Sequence, residues 1–134
     1  MVVCEGLLDY LSMDEKAQVA RQVHALLARH GGLWVTPDLA TREQVAASES
    51  DESESSRAAH ATIGEKTGRR FSDNAFGSVA ERVAFFEELG FSVETRPQID
   101  DSFTLTAPAR LELSAEHMAR LRQQLEVHWL RPRE

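Results

Sequence analysis

Three side chains with useful chemistry follow the two apolar runs near the start of the chain. Glu5 comes directly after the first run, Tyr10 lies five residues further on, and Asp38 follows the second run. Because α/β sheets bind ligands at the carboxyl ends of their strands, Glu5 and Asp38 are expected at one binding edge. The alternative is that each acid only caps a helical turn, Glu5 the turn that follows it and Asp38 the helix beginning near Thr41.

Other familiar chemical motifs are absent from the sequence. The five histidines show no H-x-x-x-H spacing, and the single Cys4 has no C-x-x-C partner, so no metal site is predicted. Cys4 also excludes an intrachain disulfide, and its apolar surroundings favour a small buried thiol. Gly64–Gly68 has only a faint likeness to a phosphate loop, since it lacks adjacent Gly and Lys. There is neither a G-x-S-x-G nor a G-x-G-x-x-G sequence.

Charge and hydropathy exclude several partners. The 134 residues include 22 acidic and 15 Lys or Arg side chains, a net charge of −7. Such a charge disfavours binding to nucleic acid or to an anionic membrane. No apolar stretch approaches the roughly 20 residues that span a bilayer, and the first residues do not resemble a secretion signal. A cytoplasmic location is expected.

The elements that must position the acids begin with a predicted βαβ unit. Val2–Cys4 is expected to be a strand buried on both faces. Ser12 and Glu15 form a capping box, which together with a stop at Gly31 predicts a helix over residues 13–30. Its expected apolar stripe comprises Val19, Val23, Leu26 and Leu27, and the residues expected to lie away from it are Lys16, Gln18, Arg21 and Gln22. A strand over 33–37 then runs parallel to the first.

The middle of the chain is polar. Residues 41–70 are predicted to form a helical excursion with a mobile middle, because Ser48–Ser56 contains no apolar residue. The alternating serines and acids of Ser48–Ser56 suggest a phosphorylated switch or a cation site, or a solvated face, which the composition favours.

Two further helices and two strands are expected after the excursion. Ser78 and Glu81 form a second capping box for a helix whose buried face is expected to hold Val79, Val83, Phe86 and Leu89. Residues 91–96 alternate like a strand, and Ser114 is placed to cap a last helix. The closing stretch, residues 127–130, fits a buried strand or a continuation of that helix equally well.

The segment that follows the first predicted strand resembles part of a known protein family. The run E-G-L-L-D-Y-L-S, Glu5–Ser12, closely resembles the E-G-L-L-x-Y-L segment of the leucine carboxyl methyltransferase-like family. These are class I methyltransferases that use S-adenosylmethionine. Residues 33–38, 85–91 and 127–132 are similar to later parts of that family in the same order. The resemblance therefore covers essentially the whole chain.

The resemblance implies a fold and a set of roles. It predicts one α/β domain over residues 1–134, a partial Rossmann-like methyltransferase sheet equivalent to strands four to seven with flanking helices. Glu5, Gly6 and Leu7 would bind S-adenosylmethionine, with the Glu5 carboxylate on the ammonium of the methionine portion. Tyr10 would face the methyl acceptor, a small molecule or a carboxylate, as in an O-methyltransferase. Asp38, expected at the same edge of the sheet, is the second candidate residue for binding the acceptor.

The resemblance also implies that half of such an enzyme is missing. The family's first three strands and its glycine-rich cofactor loop should precede E-G-L-L, so a truncated enzyme or one half of a split enzyme is expected. In the alternative, the chain is a non-catalytic interaction module that oligomerises through its exposed first strand. Homo-oligomers, or a partner chain that supplies the missing half, follow from these two hypotheses. A third, less favoured, is a small α/β binding domain unrelated to methyl transfer.

Overall fold

The computed structural model describes residues 1–99 and 112–133. These residues form six α-helices, one 3-10 turn and four strands. In chain order the elements are β1 (Val2–Val3), the 3-10 turn (Leu8–Tyr10), α1 (Met13–His30), β2 (Trp34–Thr36), α2 (Arg42–Asp51), α3 (Glu54–Thr67), α4 (Phe71–Asn74), α5 (Val79–Glu88), β3 (Phe91–Pro97), α6 (Ala115–Gln124) and β4 (Glu126–Pro132).

The four strands make one mixed sheet in the order β1-β2-β4-β3. β1 and β2 are parallel, as predicted, with Val2 opposite Trp34. β4 runs antiparallel to both of its neighbours, and Leu130 lies opposite Trp34 on one side and Val93 on the other. The closing stretch is thus a strand, and the chain has an α/β fold.

Helix α1 begins and ends where the sequence predicts. Ser12 and Glu15 form the reciprocal capping box, and the Gly31 N–H bonds to the Leu27 carbonyl. The buried face differs from the expected one, however, because Lys16 is only 1% exposed whereas Leu26 is 50% exposed. The apolar spacing predicted the helix correctly, but it did not predict which of the residues at the margins of its apolar stripe are buried.

The core lies on one face of the sheet, under α1 and α5. Trp34 stands at its centre, with ring centroids 5.9 Å from those of both Phe86 and Phe91. Leu8 and Leu130 belong to the same buried cluster. Edge-to-face packing of this kind adds to the free energy gained from burying apolar surface.

The opposite face of the sheet corrects the prediction for the first strand. The first strand was expected to be buried on both of its faces, but Val3 is 62% exposed. Strand register places Val35 and Trp129 on the same face as Val3. The Arg96 guanidinium lies 4.2 Å from the Trp129 ring centroid. An apolar run indicates a strand, but it does not reveal which of the strand's faces another element covers.

The polar excursion is helical, as predicted. Thr41 and Ser53 cap α2 and α3 through their side chains. No described residue of α3 is fully buried, which agrees with its polar composition. The mobility expected of the middle stays a prediction.

Helix α5 departs from its expected pattern in two ways. Ser78 caps the helix, but the Glu81 carboxylate accepts from the Gly77 N–H at 3.0 Å, so the second capping box is not reciprocal. Val79 is 53% exposed, while Arg82 is buried on the same helix. No helix in the described part of the chain is both long and apolar enough to cross a membrane.

Candidate functional site

The carboxyl ends of β1 and β2 bring the predicted site residues together. Both oxygens of the Asp38 carboxylate accept backbone hydrogen bonds from the segment after β1. One oxygen accepts from the Gly6 N–H at 2.9 Å, and the other accepts from Leu7 and Leu8 at 2.8 and 3.1 Å. The expectation that Glu5 and Asp38 share one edge of the sheet agrees with this contact.

Asp38 is buried beneath this segment, with 4% of its surface exposed. Its carboxylate holds the start of the 3-10 turn much as an N-cap holds a helix. The helix at residue 42 is instead capped by Thr41. Asp38 does not line the adjacent cleft, so its position is that of a support for the Gly6–Leu8 backbone.

Glu5 is exposed at this edge, and its carboxylate makes no hydrogen bond or ion pair with any residue that the structure describes. The N–H groups of Gly6 and Leu7 are already bonded to Asp38, whereas the Leu7 side chain is 49% exposed. The segment therefore offers a ligand one free carboxylate and one apolar side chain.

A buried lysine lies behind the turn, which the sequence did not suggest. The Lys16 ammonium donates to the Asn74 carbonyl and lies 5.0 Å from the Phe76 ring centroid. Burial lowers the pKa of Lys16, while the charges of Asp9 and Asp38 act in the opposite direction. Buried charges normally require such partners, so these three side chains form one charged cluster.

Asp9 is the acid of this cluster that faces open space. Burial, followed by the charge of Asp38, raises its pKa from 3.8 to about 6, against the smaller effects of Lys16 and an Ala40 hydrogen bond. It lines a cleft, and strongly shifted carboxyl groups in clefts are often functional. The sequence could have drawn attention to Asp9 only through its place directly after E-G-L-L. Its raised pKa depends on residues that are distant along the chain, such as Asp38.

The cleft encloses about 1260 Å³ between the carboxyl edge of the sheet and the helices of the excursion. Asp9 and Tyr10 line it from the 3-10 turn, and further lining residues come from α2, α3, α4, α6 and β4. Of the predicted site residues, only Tyr10 lines this space.

An aromatic wall forms part of the cleft. The Tyr10 and Phe71 ring centroids are 4.5 Å apart, and those of His60 and Phe71 are 5.0 Å apart with an edge-to-face geometry. The three residues, which we call the aromatic wall, come from the 3-10 turn, α4 and α3. Each of them lines the cleft, and none belongs to the core cluster.

The part of the cleft lined by Glu126 and His128 is polar. The buried Arg82 guanidinium donates to the Leu39 carbonyl at 2.9 Å and to the Glu126 carboxylate at 3.1 Å. His128 accompanies Glu126 on β4, and its Nδ1 lies 3.0 Å from the Thr95 hydroxyl. Burial, followed by the charge of Arg82, lowers the pKa of His128 to about 4. This imidazole is therefore neutral at neutral pH.

The remaining motifs do not extend the site. Among the described residues, no group of three or more His, Cys, Asp and Glu side chains is placed to bind a metal ion. Cys4 is half-buried, and burial raises the pKa of its thiol. Gly64–Gly68 ends α3, with Gly68 in the left-handed region, so this stretch presents a helix C-terminus instead of a phosphate-binding N-terminus.

Comparisons with known proteins assign no family. No protein-family model, no curated protein and no solved structure matches the chain.

Proposed function

We propose that these 134 residues form the cofactor-edge half of an S-adenosylmethionine-dependent O-methyltransferase, equivalent to its strands four to seven. The strand order β1-β2-β4-β3, with an antiparallel last strand between the other two, carries this proposal. The closing stretch, which the resemblance aligns with the last strand of that family, is the antiparallel strand between β2 and β3. An ordinary dinucleotide-binding sheet instead has its strands parallel in the order 3-2-1-4-5-6.

The proposal assigns the cofactor to the segment after β1. The free Glu5 carboxylate accepts charge-assisted hydrogen bonds from the ammonium of the methionine portion. Leu7 would contribute apolar contact, and Gly6 would line the cofactor without donating a hydrogen bond, because Asp38 already accepts from the N–H groups of Gly6 and Leu7. Asp38 thus acts indirectly, by holding this backbone in place.

The methyl acceptor, a small molecule or a carboxylate, occupies the cleft beside Tyr10. When bound, S-adenosylmethionine supplies an electrophilic methyl group on a sulfonium. The chain's own contribution is to orient the acceptor against that methyl group and to receive a proton. A glycine-rich loop for the rest of the cofactor is not among these residues, so full affinity requires strands from a partner chain or another segment.

The test is a titration of the ¹⁵N-labelled chain with S-adenosylmethionine, followed by NMR. We expect weak binding, with a Kd of about 1 mM or higher, and shifts concentrated at Glu5, Gly6 and Leu7. Glu5→Gln should abolish those shifts, whereas Glu43→Gln, at an exposed site on α2, should leave them unchanged. Shifts elsewhere, or shifts that survive Glu5→Gln, would overturn the cofactor assignment. Micromolar binding would show that no further half is needed.

A second candidate function, a non-catalytic interaction module, is favoured by the exposed apolar surface near β1. Met1 and Val3 are 83% and 62% exposed, and among the described strands β1 pairs only with β2. Unpaired strand edges with exposed apolar side chains promote association.

Light scattering over a range of concentrations tests this candidate. A homodimer that dissociates on Val3→Lys would support it, with Ala28→Lys on the exposed surface of α1 as control. A monomer at all concentrations would contradict self-association through β1 and leave a partner chain as the occupant.

A further inference from the structure

The three rings of the aromatic wall are exposed to the cleft, although large aromatic side chains are usually buried. Tyr10 and Phe71 are half-buried and His60 is exposed. Their centroid separations of 4.5 and 5.0 Å are typical of rings that contact each other. The Tyr10 and Phe71 planes are tilted by 41°, and the His60 ring meets Phe71 edge-to-face. A ligand with a flat apolar face would pack against these rings and bury the ring surfaces that now face the cleft.

Polar contacts around the wall hold its rings in place. The Arg69 guanidinium donates to the Tyr10 carbonyl at 2.9 Å and forms a two-point contact with the Glu15 carboxylate at 2.7 and 2.8 Å. The His60 ring nitrogen lies 2.6 Å from a Glu52 carboxylate oxygen. A site ordered before the ligand arrives loses less conformational entropy on binding.

The residue that precedes Tyr10 is an acid capable of accepting a proton. Asp9 precedes Tyr10 in the 3-10 turn and lines the same cleft. The turn is anchored by the three hydrogen bonds to Asp38, so the position of Asp9 relative to Tyr10 is well defined. With its pKa at about 6, the carboxyl is ionised at neutral pH and yet basic enough to take a proton during a reaction.

We propose that the cleft binds a planar aromatic alcohol, with the ring stacked on the aromatic wall and the hydroxyl hydrogen-bonded to Asp9. This inference rests on the proposed methyl transfer. In the reaction the hydroxyl oxygen attacks the methyl carbon of the sulfonium donor and forms a C–O bond. The C–S bond breaks and its electron pair stays on sulfur, which becomes a neutral thioether. The hydroxyl proton passes to the Asp9 carboxylate.

The stacking is tested by binding 2-naphthol and decahydro-2-naphthol to the chain, without cofactor. These alcohols share a carbon skeleton, but only 2-naphthol is aromatic. We expect 2-naphthol to bind about tenfold more tightly, and Phe71→Leu to weaken its binding about three- to tenfold. Phe85→Leu is the matched control, because Phe85 packs on Phe76 and Phe86 and does not line the cleft. Equal affinity for the two alcohols would overturn the proposal.

The hydroxyl contact is tested with 2-methoxynaphthalene, which keeps the rings but cannot donate a hydrogen bond. The wild-type chain should prefer 2-naphthol to this ether by roughly fivefold, and Asp9→Ala should remove the preference. A preference that survives Asp9→Ala would eliminate Asp9 as the proton acceptor. If Phe71→Leu lowers stability and leaves both affinities unchanged, the rings only attach α4 to the turn, and the proposal fails.

These experiments separate the inference from the function on which it rests. Binding of 2-naphthol without cofactor-induced shifts at Glu5 would contradict methyl transfer and leave an aromatic binding site. Shifts at Glu5 without selective binding of 2-naphthol would support the methyltransferase proposal and refute the aromatic acceptor.

Discussion

Replacing Asp38 by alanine should destabilise the protein markedly, because its one carboxylate holds the backbone of Gly6–Leu8. The substitution removes three charge-assisted hydrogen bonds, and bonds to charged groups contribute about 1.5–3 kcal/mol each. Water can replace those to Gly6 and Leu7, which are exposed. The N–H of Leu8 is buried with its side chain in the core, so its loss is not compensated.

From these contacts we expect Asp38→Ala to lower the free energy of unfolding by about 2–4 kcal/mol. Asp38→Asn should lose about half as much, since its one oxygen still accepts from Leu7 and Leu8 while its amide opposes the Gly6 N–H. The assay is urea unfolding, combined with hydrogen exchange at the Leu8 amide, which should become faster in Asp38→Ala.

The control is Asp73→Ala, at an exposed aspartate of α4, which should change stability by less than about 0.5 kcal/mol. If Asp38→Ala were as stable as this control, with unchanged exchange at Leu8, the anchoring of the segment by Asp38 would be refuted.

Four further predictions follow from buried groups and backbone geometry. The folded pKa of Asp9, about 6, exceeds its ordinary 3.8, so ionisation of Asp9 destabilises the fold as the pH rises through 4 to 6. The stability of Asp9→Asn relative to wild type should therefore increase by up to roughly 2–3 kcal/mol between pH 4 and 7. A difference in stability that does not depend on pH would contradict this. The folded pKa of His128, about 4, lies below its ordinary 6.5, so wild-type stability relative to His128→Gln should fall as pH decreases from 6.5 through 4, as urea unfolding would detect. Arg82→Ala should lose about 3–5 kcal/mol, because it leaves the partners of a buried guanidinium unpaired. Arg82→Met keeps most of the side-chain volume but not the donors, so it should lose nearly as much, and a calorimetric loss below about 1 kcal/mol for Arg82→Met would contradict a role for the charge. Gly90→Ala should be at least about 1 kcal/mol less stable than Gly31→Ala. Both glycines have positive φ, but only at Gly90 would a Cβ lie 2.8 Å from the His24 Nε2 atom. Equal melting temperatures of the two variants would show that the His24 ring moves aside.

Much of the fold was predictable, because its signals are local. Ser12, Glu15 and Gly31 determine where α1 begins and ends through contacts within a few residues. The parallel pairing of β1 and β2 follows from the short connections of a βαβ unit. The closing strand was ambiguous in the sequence, and its pairing with β2 and β3 decided it.

The candidate site was predictable only in outline. The positions of Glu5 and Asp38 after two strands indicated the correct edge of the sheet. The same positions did not reveal that Asp38 turns its carboxylate to the backbone of Gly6–Leu8 and away from the cleft. That orientation depends on a contact between residues about thirty positions apart.

The sequence by itself determined most of the helices and strands in their order, although not the closing strand, and it placed an acid at the end of β1. Only the tertiary structure decided that Lys16 is buried, that the pKa of Asp9 is raised, and that Tyr10 and Phe71 form one wall of a cleft. The physical reason is that these interactions act over different separations along the chain. Caps and periodicity act within a few residues, whereas burial, charge coupling and ring contacts depend on segments that only folding brings together.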